Sequence, residues 1–240
     1  MRAIRTVTCL LGLSLLLACS GGADRGPANT LQRGLQVGPE TLDPQRSRSA
    51  EAAEILRDLG EGLVGYAPSG ELEPAAAEHW DVSADGLTWT FYLREGLRWS
   101  NGDAVPAAHF VAGMRRLVDP ATAAFYAEML IDVENAAAIV AGELPPGELG
   151  VAAPDDRTLV LRLERPVPYL LALLTHPSTF PVHPASLAEH GDGFARPGQF
   201  VSNGAYRLVD WVPAAMISLE RNEHYWDNDA TAIDAVNYHV

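Results

Sequence analysis

No lysine occurs anywhere in the 240 residues; all 17 basic residues are arginine. Set against 31 Asp and Glu, they leave a formal charge of −14. Such a surface repels the phosphates of nucleic acid and anionic lipid headgroups, which excludes both as direct partners. The missing lysine itself reads as genome composition rather than function. Cysteine is nearly absent: only Cys9 and Cys19 occur. The body after Cys19 therefore has no disulfide, thiolate metal site or cysteine nucleophile. Also missing are a Gly-x-Ser-x-Gly elbow, a phosphate-cradling Gly-x-x-x-x-Gly-Lys, a Gly-x-Gly-x-x-Gly turn and a His-Glu-x-x-His zinc motif. No apolar run after the N-terminus is long enough to cross a bilayer as a helix. What is present is an ordinary globular balance, 48% hydrophobic and 20% charged, in a chain long enough for one large domain or two small ones. There is no internal repeat.

The N-terminus carries Arg2 and Arg5, an apolar run from Val7 to Ala18, and then Cys19 followed by Ser20-Gly21-Gly22. A basic start, a short apolar stretch and a small-residue cleavage site make a secretory signal over 1–18. Leu16-Leu17-Ala18-Cys19 resembles the bacterial lipobox, in which the cysteine is acylated and becomes the first mature residue. That resemblance implies a lipid anchor at Cys19, with 19–30 as a flexible tether. Removing the signal, with its two arginines, takes the formal charge from −14 to −16.

Periodicity then places the elements. Leu35-Gln36-Val37 is a strand candidate. Thr41-Leu42-Asp43-Pro44 is a turn, because proline fixes its own φ and pushes the preceding residue to extended backbone. Ala50 to Leu59 reads as a helix with Ala53, Leu56 and Leu59 on one side. Leu87 to Arg94 alternates Leu87, Trp89, Phe91 and Leu93 with polar or half-polar neighbours, the clearest strand. Ser100-Asn101-Gly102-Asp103 is a turn. Pro106 to Leu117 is a helix started by proline, with Phe110, Met114 and Leu117 on its apolar face. Thr122 to Ile131, Asn135 to Ala141 and Val167 to Leu174 are further helix candidates. Thr158 to Leu163 is a strand after the Asp155-Asp156 turn, and Ala205 to Trp211 pairs with Ala215 to Arg221 across Val212-Pro213-Ala214. Ala235 to Val240 alternates like a strand with no terminator after it. We expect that strand to leave an unpaired ladder, as in a truncated chain.

Chemistry-bearing clusters are few. His183 and His190 stand seven apart, but Pro184 intervenes and no third ligand is at useful spacing for a metal. Asp155-Asp156 reads as a solvated turn rather than a carboxylate pair. No cofactor and no metal are expected.

Ten blocks, taken in order, resemble one family. They are Thr41-Leu-Asp-Pro44, Ala53 to Tyr66, Pro74 to Trp80, Asp85 to Arg94, Leu97-Arg-Trp-Ser-Asn-Gly-Asp-Ala-Val105, Arg116-Leu-Val-Asp-Pro120, Thr158 to Tyr169, His176-Pro-Ser-Thr179, Ser202-Asn-Gly-Ala-Tyr206 and Leu219-Glu-Arg-Asn-Glu-His-Tyr-Trp226. On these blocks the chain is similar to the family 5, cluster C substrate-binding proteins of bacterial ABC importers, above all the oligopeptide-binding ones. The resemblance covers almost all of 31–240 but only the first half of the family's pattern. It implies an α/β fold of the type II periplasmic binding protein kind: a mixed-sheet core lobe over 31–60, a small extra α+β domain over 61–183, and returning core strands over 184–240. The family's second lobe, with the Asp that binds a peptide amino terminus, is not matched.

The implied function is an extracytoplasmic lipoprotein, not an enzyme, that captures oligopeptides and delivers them to a permease and its ATPase. It would act as a monomer in the periplasm or cell envelope. The resemblance carries ligand positions onto Arg48, Ser49 and Ala50, whose main chain meets the peptide in the family. It also carries them onto Tyr126, which lines the site, and His176, which borders a side-chain pocket. The family often has an acidic residue where Arg48 stands. Core packing for Tyr126 and a structural hydrogen bond for His176 remain open. So do another ligand of the same family (dipeptide, murein peptide, nickel chelate or haem), a non-functional fragment, and a secreted hydrolase.

Overall fold

The computed structural model describes residues 29–240. The signal sequence and Cys19 lie outside the described residues. Two hydrophobic clusters organise the chain. One gathers Leu42, α1 (Ala50–Leu59) and a sheet of four strands: β1 (Thr30–Gly34), β8 (Tyr206–Val212), β9 (Met216–Arg221) and β10 (Ala235–His239). The other lies between Leu63 and Leu174. It packs α2 (Ala107–Val118) on the antiparallel sheet β4-β5-β7-β6, whose strands are Ala77–Val82, Thr88–Leu93, Thr158–Arg162 and Val151–Asp155. A two-stranded hairpin, β2 (Val64–Tyr66) with β3 (Leu72–Pro74), leads from the first body into the second.

Local chemistry explains most of these elements. Ser49 caps α1, its Oγ accepting from the Ala52 N–H at 3.1 Å. The stripe that α1 buries is Ala52, Ile55, Leu56 and Leu59, one residue earlier than expected at its start. Phe110, Met114 and Leu117 of α2 are fully buried, as their spacing predicts. Pro106 stands as the N-cap of α2 rather than its first helical residue. Gly113 lets α2 approach the 180–181 backbone, where an added Cβ would meet the Phe180 carbonyl oxygen at 2.7 Å. Gly204 does the same against the end of α1.

Four expectations fail, each for a local reason. The first strand is Thr30–Gly34, not Leu35–Val37, because its ladder runs parallel to β10 and ends as Leu35 N–H reaches the His239 carbonyl. The 122–131 helix breaks into two single turns, Pro120–Thr122 and Ala127–Leu130, parted by Ala123 in the left-handed region at φ 52°. The 167–174 helix shrinks to α4 (Leu170–Leu173), since Pro168 bars Val167 from helical backbone. The terminal strand is not unpaired: β10 is central, parallel to β1 and antiparallel to β9. Strands β3, β4 and β6 escaped the periodicity reading.

One ion pair ties the two bodies together. The Arg116 guanidinium on α2 grips Asp43 with both nitrogens, at 2.7 and 2.6 Å, and donates to Gln45 Oε1 at 2.7 Å. Gln45, fully buried, donates in turn to the carbonyls of Ser178 and Phe180. The side chains of Arg116 and Asp43 are 13% and 3% exposed, so neither charge can be left alone without a large desolvation penalty. Asp43 also fixes the turn, its Oδ1 accepting from the Gln45 N–H.

A second junction centres on Glu61, between α1 and β2. Tyr225 Oη and Trp226 Nε1 donate to its two carboxylate oxygens at 2.5 and 2.8 Å. The Arg94 guanidinium lies 3.9 Å over the Trp226 ring. Asn203 brackets the Glu61 peptide, its Oδ1 accepting from the N–H and its Nδ2 donating to the carbonyl. Burial pushes the Glu61 carboxyl up to about 7, against the pull of Tyr225, Trp226 and Arg94.

Two predictions follow from these junctions. Arg116→Ala should cost about 3–5 kcal/mol in urea unfolding, because it strands a buried carboxylate; Arg116→Lys should recover only part, lacking the two-pronged fit. For Glu61, the folded state holds its proton more tightly than the unfolded chain. Its contribution is therefore complete below pH ~4.5 and is lost as pH rises toward 7. The melting temperature of the wild type relative to Glu61→Gln should be higher at pH 5 than at pH 8, and equal differences at both would refute the assignment.

Candidate ligand-binding face

The turn held by Asp43 sets where 48–50 emerge. Arg46 and Ser47 N–H groups both bond the Asp43 carbonyl, so the chain reverses and presents Arg48, Ser49 and Ala50 at the start of α1. Arg48 and Ala50 are exposed. The Arg48 side chain makes no ion pair with the described residues. Its main-chain N–H and carbonyl are both occupied by side chains. The N–H donates to Glu40 Oε1 at 2.5 Å, and the carbonyl accepts from Tyr126 Oη at 3.2 Å.

Tyr126 arrives from the other body. It follows the left-handed Ala123 and precedes the 127–130 turn. Its ring meets that of His176 edge-on, centroids 4.5 Å apart, and Phe125 lies edge-on to Tyr126 at 4.9 Å. Phe125 is 61% exposed, which is unusual for phenylalanine and places an apolar ring on the rim. His176 caps the 177–179 turn: its Nδ1 accepts from the Ser178 N–H at 3.2 Å and lies 2.8 Å from Ser178 Oγ. Burial, aided by Arg57, holds the His176 imidazole down to about 4, so it is neutral at physiological pH. A neutral ring that accepts at Nδ1 carries its proton on Nε2. That Nε2–H makes no hydrogen bond to the described residues and stands ready as a donor.

Three segments remote in sequence thus meet at contact distance: 48–50, Tyr126 and His176. His176 does make the structural hydrogen bond left open for it, whereas Tyr126 joins neither core cluster. The face offers main-chain groups, one neutral N–H donor, two aromatic surfaces and one uncompensated guanidinium. That set suits an amide-rich, uncharged or acidic ligand. Two open clefts flank it. One, of about 560 Å³, is lined by Glu40, Arg46, Arg48, Ala123, Phe125 and Asp192. The other, of about 590 Å³, includes Arg57, Glu61, Tyr66, Arg94, Thr175 and Trp226.

His183 and His190 are not brought together as ligands. His183 caps α5 (Pro184–His190) through Nδ1 and reaches Asp103 through Nε2 at 3.0 Å, while His190 faces Glu189. Among the described residues, no group of three or more His, Cys, Asp or Glu is placed to hold a metal ion. No described helix is long and apolar enough to cross a membrane. Glu40, Phe125 and the Asp43–Arg116 pair escaped the sequence reading. Both members of that pair sat in quoted blocks, but nothing in a single sequence links positions so far apart.

Comparison with known proteins agrees with this architecture. The model for the bacterial extracellular solute-binding proteins, family 5, matches residues 71–240. A protein of Escherichia coli K12 named as a probable deoxycholate-binding periplasmic protein is 42% identical over 94% of this chain and 44% of its own length. The periplasmic oligopeptide-binding protein of Salmonella typhimurium is 39% identical over 97% of this chain and 43% of its own. Among solved structures, the Haemophilus influenzae OppA complex with RPPGFSPFR superposes with a TM-score of 0.86 at 40% identity, covering 88% of this chain and 42% of that one. The chain thus spans less than half the length of these relatives. With this match to the family model and this degree of identity and superposition, the chain belongs to the bacterial extracellular solute-binding proteins of family 5 and has the α/β fold of the type II periplasmic binding proteins.

Proposed function

We propose that this chain is the peptide-capturing part of an importer: an envelope protein that binds oligopeptides and hands them to an ABC permease and its ATPase. The observation that carries the reading is the convergence of 48–50, Tyr126 and His176 on one face, in a chain of this family. Peptide main chain read by protein main chain accepts any sequence, and open clefts on either side leave room for varied side chains and water. Arg48 tilts the preference toward ligands with an acidic or free carboxylate group nearby. The protein is not an enzyme in this reading. It is tethered through an acylated Cys19, with the binding body free in the periplasm or cell envelope as a monomer. The division of the chain into core lobe, small domain (61–183) and returning core strands follows the family.

The test is thermal unfolding of the purified protein with and without a tripeptide-to-pentapeptide library, alongside deoxycholate, which one relative carries in its name. At a ligand concentration of about 100 times Kd, the folded state gains about 2.7 kcal/mol, a rise of several degrees in Tm. Saturable stabilisation by deoxycholate with none by peptides would replace the peptide reading with a steroid one. No shift with either would remove ligand capture from this chain. If peptides bind, Tyr126→Ala and His176→Ala should each weaken the affinity about tenfold by calorimetry. Wild-type affinity in both would return these residues to a purely structural role.

A further inference from the structure

Arg48 precedes Ser49, the N-cap of α1, so its N–H lies just outside the helix's own set of unpaired donors. It could have faced water. Instead Glu40, eight residues upstream, folds back over it. Its carboxylate accepts from the N–H of Arg48 at 2.5 Å, and hydrogen bonding of this kind at 48 and 49 holds its proton affinity below the ordinary glutamate range despite partial burial. Glu40 is itself exposed and lines the same cleft as Arg48 and Phe125. The backbone it contacts is fixed from the far side by the Asp43–Arg116 pair, while Glu40 contributes nothing to either core cluster. The donor is therefore held by a fixed turn, and the group occupying it is an exposed side chain at the surface.

We propose that Glu40 is a built-in competitor for the ligand: its carboxylate occupies the Arg48 main-chain donor in the unliganded protein and must swing away before a peptide carbonyl or carboxylate can take it. This rests on the reading that the 48–50 main chain meets the ligand. An internal competitor lowers the apparent affinity by the fraction of time the site is open. With the contact made about nine-tenths of the time, removing it tightens binding about tenfold. The arrangement serves a carrier that must release its cargo. As the ligand leaves, the donor is satisfied again at once, without waiting for water to reorganise. Tyr126 bonds the Arg48 carbonyl from the other side, as a ring that stays in the face rather than a group that must leave it.

The experiment is calorimetric titration of trialanine into wild type, Glu40→Ala, Glu40→Gln and a control, Glu143→Ala, which removes an exposed acid elsewhere on the surface. Tighter binding by about tenfold in Glu40→Ala, an intermediate gain in Glu40→Gln and no change in Glu143→Ala support the competitor. So does binding by Glu40→Ala where the wild type shows none. Unchanged or weaker binding in both Glu40 variants overturns it while leaving the peptide reading intact. An equal gain in Glu143→Ala overturns it too, since overall charge would then be responsible. No binding by any of the four proteins removes the peptide reading, and the competitor with it. Should Glu40→Ala fail to fold, Glu40→Gln alone decides between these outcomes.

Discussion

Everything at the candidate face depends on a single buried guanidinium. Arg116 reaches out of one body, takes both oxygens of Asp43 in the other, and adds Gln45 as a third point. Gln45 passes the link on to the backbone at 178 and 180, beside His176. A lysine could not do this, since its point charge lacks the planar fork that satisfies a carboxylate and an amide together. The network sets the distance between the 48–50 segment and the 176–179 turn, and so the spacing that any ligand meets. Nearly complete burial makes it an all-or-nothing contact: an intact network is rigid, and a broken one is expensive.

Around this frame the chemistry becomes progressively softer. The donor at Arg48 is held by a fixed turn. The Tyr126 and His176 rings are held by each other and by one hydrogen bond each to neighbouring segments. Glu40 and Phe125, at the rim, are held least. The gradient from buried ion pair to exposed rim places precision where the ligand's repeating main chain would lie and tolerance where its variable side chains would lie. A neutral His176 fits the same scheme, because it offers a hydrogen without imposing a charge on what binds.

Much of this was legible in the sequence, and the rest was not for definable reasons. Ala50–Leu59 and Ala107–Val118 declared themselves by apolar spacing, and Thr88–Leu93 by strict alternation. The strands β3, β4 and β6 bury at most one residue each and therefore carry no such signal. Ala123 broke an expected helix by a backbone conformation that alanine rarely adopts, and nothing in its neighbours announces it. The positions of Arg48, Ser49, Ala50, Tyr126 and His176 came from resemblance, and only geometry shows that they share a face. The Asp43–Arg116 and Glu61–Tyr225 partnerships span long stretches of chain, which no local pattern can report.

The parallel pairing of β1 with β10 has a consequence for how the molecule is assembled. Thr30 lies beside Ala235, so the edge strand at the start of the described chain finds its hydrogen-bond partner only at the end. The contacts between Leu63 and Leu174 close far shorter loops and can form first. Folding therefore proceeds from the middle outward, with the 30–34 segment left unpaired until about two hundred residues have been made and threaded into place. Such wiring makes the core sheet a late event: it stays open until Ala235–His239 is present to receive Thr30–Gly34, and the face built upon it matures with that closure.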